Sequence, residues 1–102
     1  MMKIRINGQT IRLRLNETEV KNLVKNRETT EMTDLPQNQK ITWAIRAKEN
    51  IVQFVSAESS YCLILPETQV KTWAMSSDNF ISIEFNVPNR PALKITVEKD
   101  LG

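Results

Sequence analysis

Lys3, Arg5, Arg12 and Arg14 alternate with apolar residues on either side of Asn7-Gly8, and this spacing is the chain's best prospect for chemistry. Asn-Gly between two alternating runs is the strongest short hairpin signal. With Asn7-Gly8 as a two-residue type I′ loop, Ile6 pairs with Gln9, Ile4 with Ile11 and Met2 with Leu13. The apolar residues then share one face. The four cations share the other, with Lys3 opposite Arg12. Like charges directly opposite destabilise a sheet, so something should offset them. Arg pairs bidentately with phosphate and carboxylate oxygens, so an anionic ligand or partner would fit. Arg46, Lys48 and Lys94 extend the patch if their strands lie alongside. The simpler expectation is a solvated face neutralised by Glu84 and Glu98, since a half-exposed sheet alternates in this way in any case.

Other chemistries are sparse. Histidine is absent and Cys62 is the one cysteine, which removes imidazole bases, Ser-His and Cys-His nucleophiles, internal disulfides and thiolate or imidazole zinc sites. Cys62, between Tyr61 and Leu63, reads as a buried, inert thiol. Glu17, Glu19 and Glu67 fall in first helical turns, where they complement the dipole. Glu28-Thr29-Thr30-Glu31 has oxygens for a cation, but an exposed edge strand accounts for it more simply. No catalytic residue, metal ligand or cofactor is assigned. The enzymatic alternative is metal-dependent phosphate-ester or triphosphate chemistry in a basic barrel, for which Glu84 and Glu98 are the strand acids on offer.

The elements that position these residues recur. Leu13, Leu15, Glu17, Thr18, Val20 and Lys21 reappear without a gap as Leu63, Leu65, Glu67, Thr68, Val70 and Lys71. This predicts internal repeats over about 2–48 and 51–99. Asn16 with Glu19 forms a capping-box pattern before a helix over 17–26, and Pro66 starts its counterpart. Trp43 and Trp73 read as core. Strands are predicted over 2–7, 11–15, 28–33, 41–47, 51–57, 61–65, 80–87 and 92–99, with a loop over 34–40. Lys40-Ile41-Thr42 and Lys94-Ile95-Thr96 look like matching parts of the two repeats. The expected fold is α+β: a duplicated β-β-α-β-β unit, mostly antiparallel, as a curved sheet or small barrel with two short helices. Arg12 and Arg14 correspond to Cys62 and Ile64 in the second repeat. The Cys62 strand is therefore either central and covered, or part of a pocket or homodimer contact with Ile51, Val55 and Phe85.

A chain of 102 residues with 40% apolar and 25% charged side chains is one ordinary domain. Its net charge of +2 does not by itself imply nucleic acid. No apolar run approaches membrane-spanning length, and Met1 to Arg5 has no apolar core of a secretory signal, so the expected location is cytoplasmic.

Several segments together resemble a small uncharacterised bacterial family, a domain of unknown function. They are Lys3-Ile4-Arg5-Ile6, Ile11-Arg12-Leu13-Arg14-Leu15, Glu19-Val20, Glu28-Thr29-Thr30, Thr42-Trp43-Ala44, Trp73 with Asp78, and Val97-Glu98-Lys99-Asp100. Members commonly carry a longer tail with a cysteine after the Glu-Lys-Asp segment. The resemblance implies no activity. The duplicated layout with basic strands is also similar to that of triphosphate-tunnel enzymes. Those open on a metal-holding Glu-x-Glu-x-Lys strand, where this chain has Lys3-Ile4-Arg5-Ile6.

Overall fold

The computed structural model describes residues 1–100. In chain order the elements are β1 (Lys3–Asn7), β2 (Thr10–Leu15), α1 (Glu17–Asn26), β3 (Glu28–Leu35), β4 (Gln39–Ala47), β5 (Gln53–Ala57), β6 (Ser60–Leu65), α2 (Glu67–Met75), β7 (Phe80–Phe85) and β8 (Leu93–Lys99). Capping sets the start of α1. The Asn16 side chain accepts from the Glu19 amide at 2.8 Å, and the Glu19 carboxylate accepts from the Asn16 amide at 2.9 Å. Such a cap contributes about 1 kcal/mol. Pro66 opens α2 with no side-chain cap.

The strands form two four-stranded sheets, ordered β1-β2-β8-β7 (sheet A) and β3-β4-β6-β5 (sheet B). The class is α+β, and the curved single sheet and the small barrel of the sequence reading both give way to this pair. The cause is in the pairing. Each hairpin of the first half joins a hairpin of the second through parallel central strands, β2 with β8 and β4 with β6. One interior holds both sheets and both helices. Leu13, Leu15, Leu23, Ile45, Leu63, Leu65, Val70, Ile95 and Val97 are fully buried, and Trp43 and Trp73 lie in the same cluster.

The two halves use the same connections. Lys48 donates its amide to the Leu65 carbonyl and Asp100 donates its amide to the Leu15 carbonyl. Ala47 to Arg27 is likewise matched by Lys99 to Asn79, and Thr42 to Ser59 by Lys94 to Gln9. The numbering offset is 50 for the first hairpin and helix (Leu15 to Leu65). It becomes 52 for the second hairpin (Lys48 to Asp100), because Arg27 alone links α1 to β3 whereas residues 76–79 link α2 to β7. The sequence match of Lys40-Ile41-Thr42 with Lys94-Ile95-Thr96 is therefore out of register. Thr42 occupies the place of Lys94: they face Ser60 and Thr10 respectively.

The first hairpin also differs from expectation. Its loop is Gly8-Gln9, closed by Asn7 and Thr10, so Ile4 faces Leu13 and Ile6 faces Ile11. Gly8 takes φ +57° while Gln9 does not have positive φ. That is the type II′ pattern, which asks for glycine at the first central position only. The slip of two residues preserves which face each side chain occupies, because strand side chains alternate with period two. The loop over 34–40 shrinks to Pro36, Gln37 and Asn38, with Gln37 and Asn38 at φ 65° and 60°, and β3 and β4 pair up to Leu35 and Gln39.

Candidate anion-binding face of sheet A

Strand alternation places Lys3 and Arg5 of β1 and Arg12 and Arg14 of β2 on the outer face of sheet A. The register sets two like-charged pairs directly opposite each other, Arg5 with Arg12 and Lys3 with Arg14. With Ile4, the four cations line a shallow depression of about 110 Å³.

The parallel neighbour β8 supplies the offset. Arg12 faces Thr96 and Arg14 faces Glu98 across β2 and β8. Arg12 donates Nε to one Glu98 oxygen at 2.6 Å and a terminal nitrogen to the other at 3.0 Å, a bidentate pair. Arg14 donates to the same carboxylate at 3.3 Å. Lys3 donates to Asp100 at 3.0 Å. The Arg12 hydrogen bond holds the Glu98 carboxyl below the ordinary carboxylate range against the opposing effect of burial, with Arg14 adding to the shift. In return, the Arg12 guanidinium is pushed up. No ion pair involves Arg5 among the described residues.

The remaining residues singled out in the sequence divide between the two sheets. Lys94 shares the sheet A face but stands at the opposite end of β8, facing Thr10 and Glu84. Arg46 does not extend the patch, because β4 belongs to sheet B. Its Nε bonds Glu28 at 2.7 Å, and this hydrogen bond pushes the guanidinium up. Arg46 and Lys48 instead line a cleft of about 600 Å³ with Arg27, Glu28, Glu49 and Glu67, three cations against three carboxylates. The Asp100 contact was missed in the sequence, although its even spacing from Glu98 was the available signal.

Two other candidates lose their chemistry to geometry. Glu84 faces Lys94 while Glu98 faces Phe80. Four residues separate them along the strands, roughly 13 Å, and one metal ion cannot bridge that distance. Cys62 is half-buried on β6, a central strand, and burial pushes its thiol up, away from the thiolate form a nucleophile needs. Ile64 beside it is buried as well. Phe85 turns inward against Phe54, with ring centroids 6.3 Å apart, so it does not join Cys62 on an outer surface. Glu28 is engaged by Arg46, and Glu31 accepts from the Met2 amide at 3.0 Å, which assigns both acids of the β3 run to structure.

Trp73 is buried with no hydrogen-bond partner for its indole nitrogen among the described residues, while Lys99 lies 5.1 Å from the ring centroid. No helix among the described residues is long and apolar enough to cross a membrane. The chain belongs to a family of unknown function (DUF7009), which matches residues 2–102. No curated protein matches it.

Proposed function

We propose that this chain is a small cytoplasmic, non-catalytic binding module: one domain of two repeats, over about 2–48 and 51–99, whose basic face on sheet A takes an anionic small molecule or an acidic protein partner. One observation carries the reading. Arg5 has no ion pair among the described residues and faces Arg12 directly, inside a depression that Lys3 and Arg14 also line. Among the described residues Lys3, Arg12 and Arg14 bond two carboxylates, Asp100 and Glu98, so the four cations exceed the acids that they contact by two charges. Over the whole chain, 14 basic residues against 12 acidic ones give the same +2. The excess that the sequence records is thus matched by one small area, where focused charge can attract an anion. It is too small an area for nucleic acid, whose binding takes contacts to several backbone phosphates at once. Cytoplasmic placement rests on the lone thiol, which suits a reducing compartment.

Thermal unfolding with millimolar sulfate, pyrophosphate or nucleoside triphosphate tests the reading. The expected result is a midpoint that rises with ligand charge and a rise that Arg5→Gln abolishes. An unchanged midpoint with all three ligands, or an equal rise in the variant, contradicts it.

A further inference from the structure

The face proposed above lies beside a strand edge that is open at Ile4 and Ile6, beyond the Met2 amide that Glu31 occupies, and the two together define a more specific partner. β1 pairs with β2 on one side only and forms one border of sheet A. In a two-residue hairpin the closing pair exchanges both backbone hydrogen bonds, and bonded pairs alternate from there. Asn7 with Thr10, Arg5 with Arg12 and Lys3 with Arg14 are therefore the bonded pairs. The amides and carbonyls of Ile4 and Ile6 point away from β2, and no described residue bonds them. On the side-chain faces of the same strand, Lys3 and Arg5 project outward with the cationic patch, while Ile6 on the inner face is 61% exposed.

Resting on the reading of the basic face, we infer that β1 accepts an extended acidic peptide as a fifth, antiparallel strand of sheet A. The incoming strand bonds Ile4 and Ile6 through its backbone. Its residues opposite Lys3 and Arg5 are acidic and sit at the close, non-bonded positions of the new pair. Its intervening residues are apolar and extend the cover over Ile6. Charge complementarity selects this occupant: an acidic residue opposite Arg5 relieves the Arg5–Arg12 opposition, and an open strand edge is a template for strand addition. A free phosphate meets the charge but leaves the backbone edge and Ile6 uncovered.

Blocked Val-Glu-Val-Glu-Val peptides test the inference, with binding to the full chain read by isothermal calorimetry. In the inferred pairing the valine amides bond β1 and the glutamate amides point away. N-methylation of the valines should therefore weaken binding about tenfold, and N-methylation of the glutamates should leave it nearly unchanged. Ile6→Pro removes one edge amide without touching the β2 pairing, and should weaken the peptide similarly while the response to pyrophosphate persists. Equal effects of the two methylations overturn strand addition. So does pyrophosphate binding without peptide binding, which leaves the anionic face standing. Failure of peptide and pyrophosphate alike overturns both.

Discussion

The outer faces of the two sheets are built on equivalent strands and carry opposite characters. Lys3, Arg5, Arg12 and Arg14 on sheet A stand where sheet B has Gln53, Val55, Cys62 and Ile64. Glu98, which binds two arginines, stands where sheet B has Arg46. The inner faces do not differ in this way: Leu13 and Leu15 match Leu63 and Leu65, all fully buried. The interior must be filled at close packing, so residue type there is constrained by volume and polarity. The outer faces carry no such constraint, and a charged network on one of them needs another explanation. Buried strand structure is sufficient for sheet B, where Ile64 and Ala44 are already covered. Sheet A concentrates like charges that its own acids neutralise only in part.

The largest expected effect lies where the sheets agree. Leu13→Ala and Leu63→Ala should each cost about 2–5 kcal/mol by urea unfolding, because each opens a cavity at an equivalent place in one interior. A large cost at one and a negligible cost at the other would separate the two interiors that the fold joins.

Next comes the contrast between Glu98 and Arg46. Glu98→Gln removes the negative charge and one of the two acceptor oxygens shared by Arg12 and Arg14, and should destabilise by about 1–3 kcal/mol. Arg46→Gln breaks one exposed pair with Glu28 and should cost at most about 1 kcal/mol. The pH dependence distinguishes them further. The folded-state Glu98 carboxyl titrates below its unfolded value, so its contribution is fully present above the ordinary carboxylate pKa of about 4.3 and is lost as pH falls through the lower folded value. Acid unfolding curves of Glu98→Gln should be flatter in that window than those of the parent. Parallel curves would contradict the assignment.

The smallest effect is the most pointed. Arg5→Val installs the sheet B residue and removes the opposition to Arg12, so stability should rise by about 0.2–1 kcal/mol while stabilisation by pyrophosphate disappears. A loss of stability would mean that Arg5 makes a structural contribution the described contacts do not contain.

Strand and helix periods were legible in the sequence because they are local. The capping box at Asn16 and Glu19 marked the start of α1, and alternation placed the four cations together even though the hairpin register was two residues away from the expected one. What was not legible depended on pairing between distant segments. Nothing in the Ile41 to Ala47 run reveals that β4 joins β6 rather than β2, so Arg46 was grouped with a face that its sheet does not present. Likewise, two extra residues accumulate between the helix and the following hairpin, so a fortuitous Lys-Ile-Thr match concealed the true equivalence of Thr42 and Lys94. Arg5 could be named from alternation alone, but that it has no ion pair among the described residues depended on where the β8 end of the chain delivers Glu98 and Asp100.

A pyrophosphate titration followed by backbone amide shifts tests the basic face most directly. Saturable shifts concentrated at residues 3–7 and 10–14, and lost in Arg5→Gln, are the predicted result. Shifts centred on the Arg27, Arg46 and Lys48 cleft, or no saturable shifts at millimolar pyrophosphate, would contradict the account.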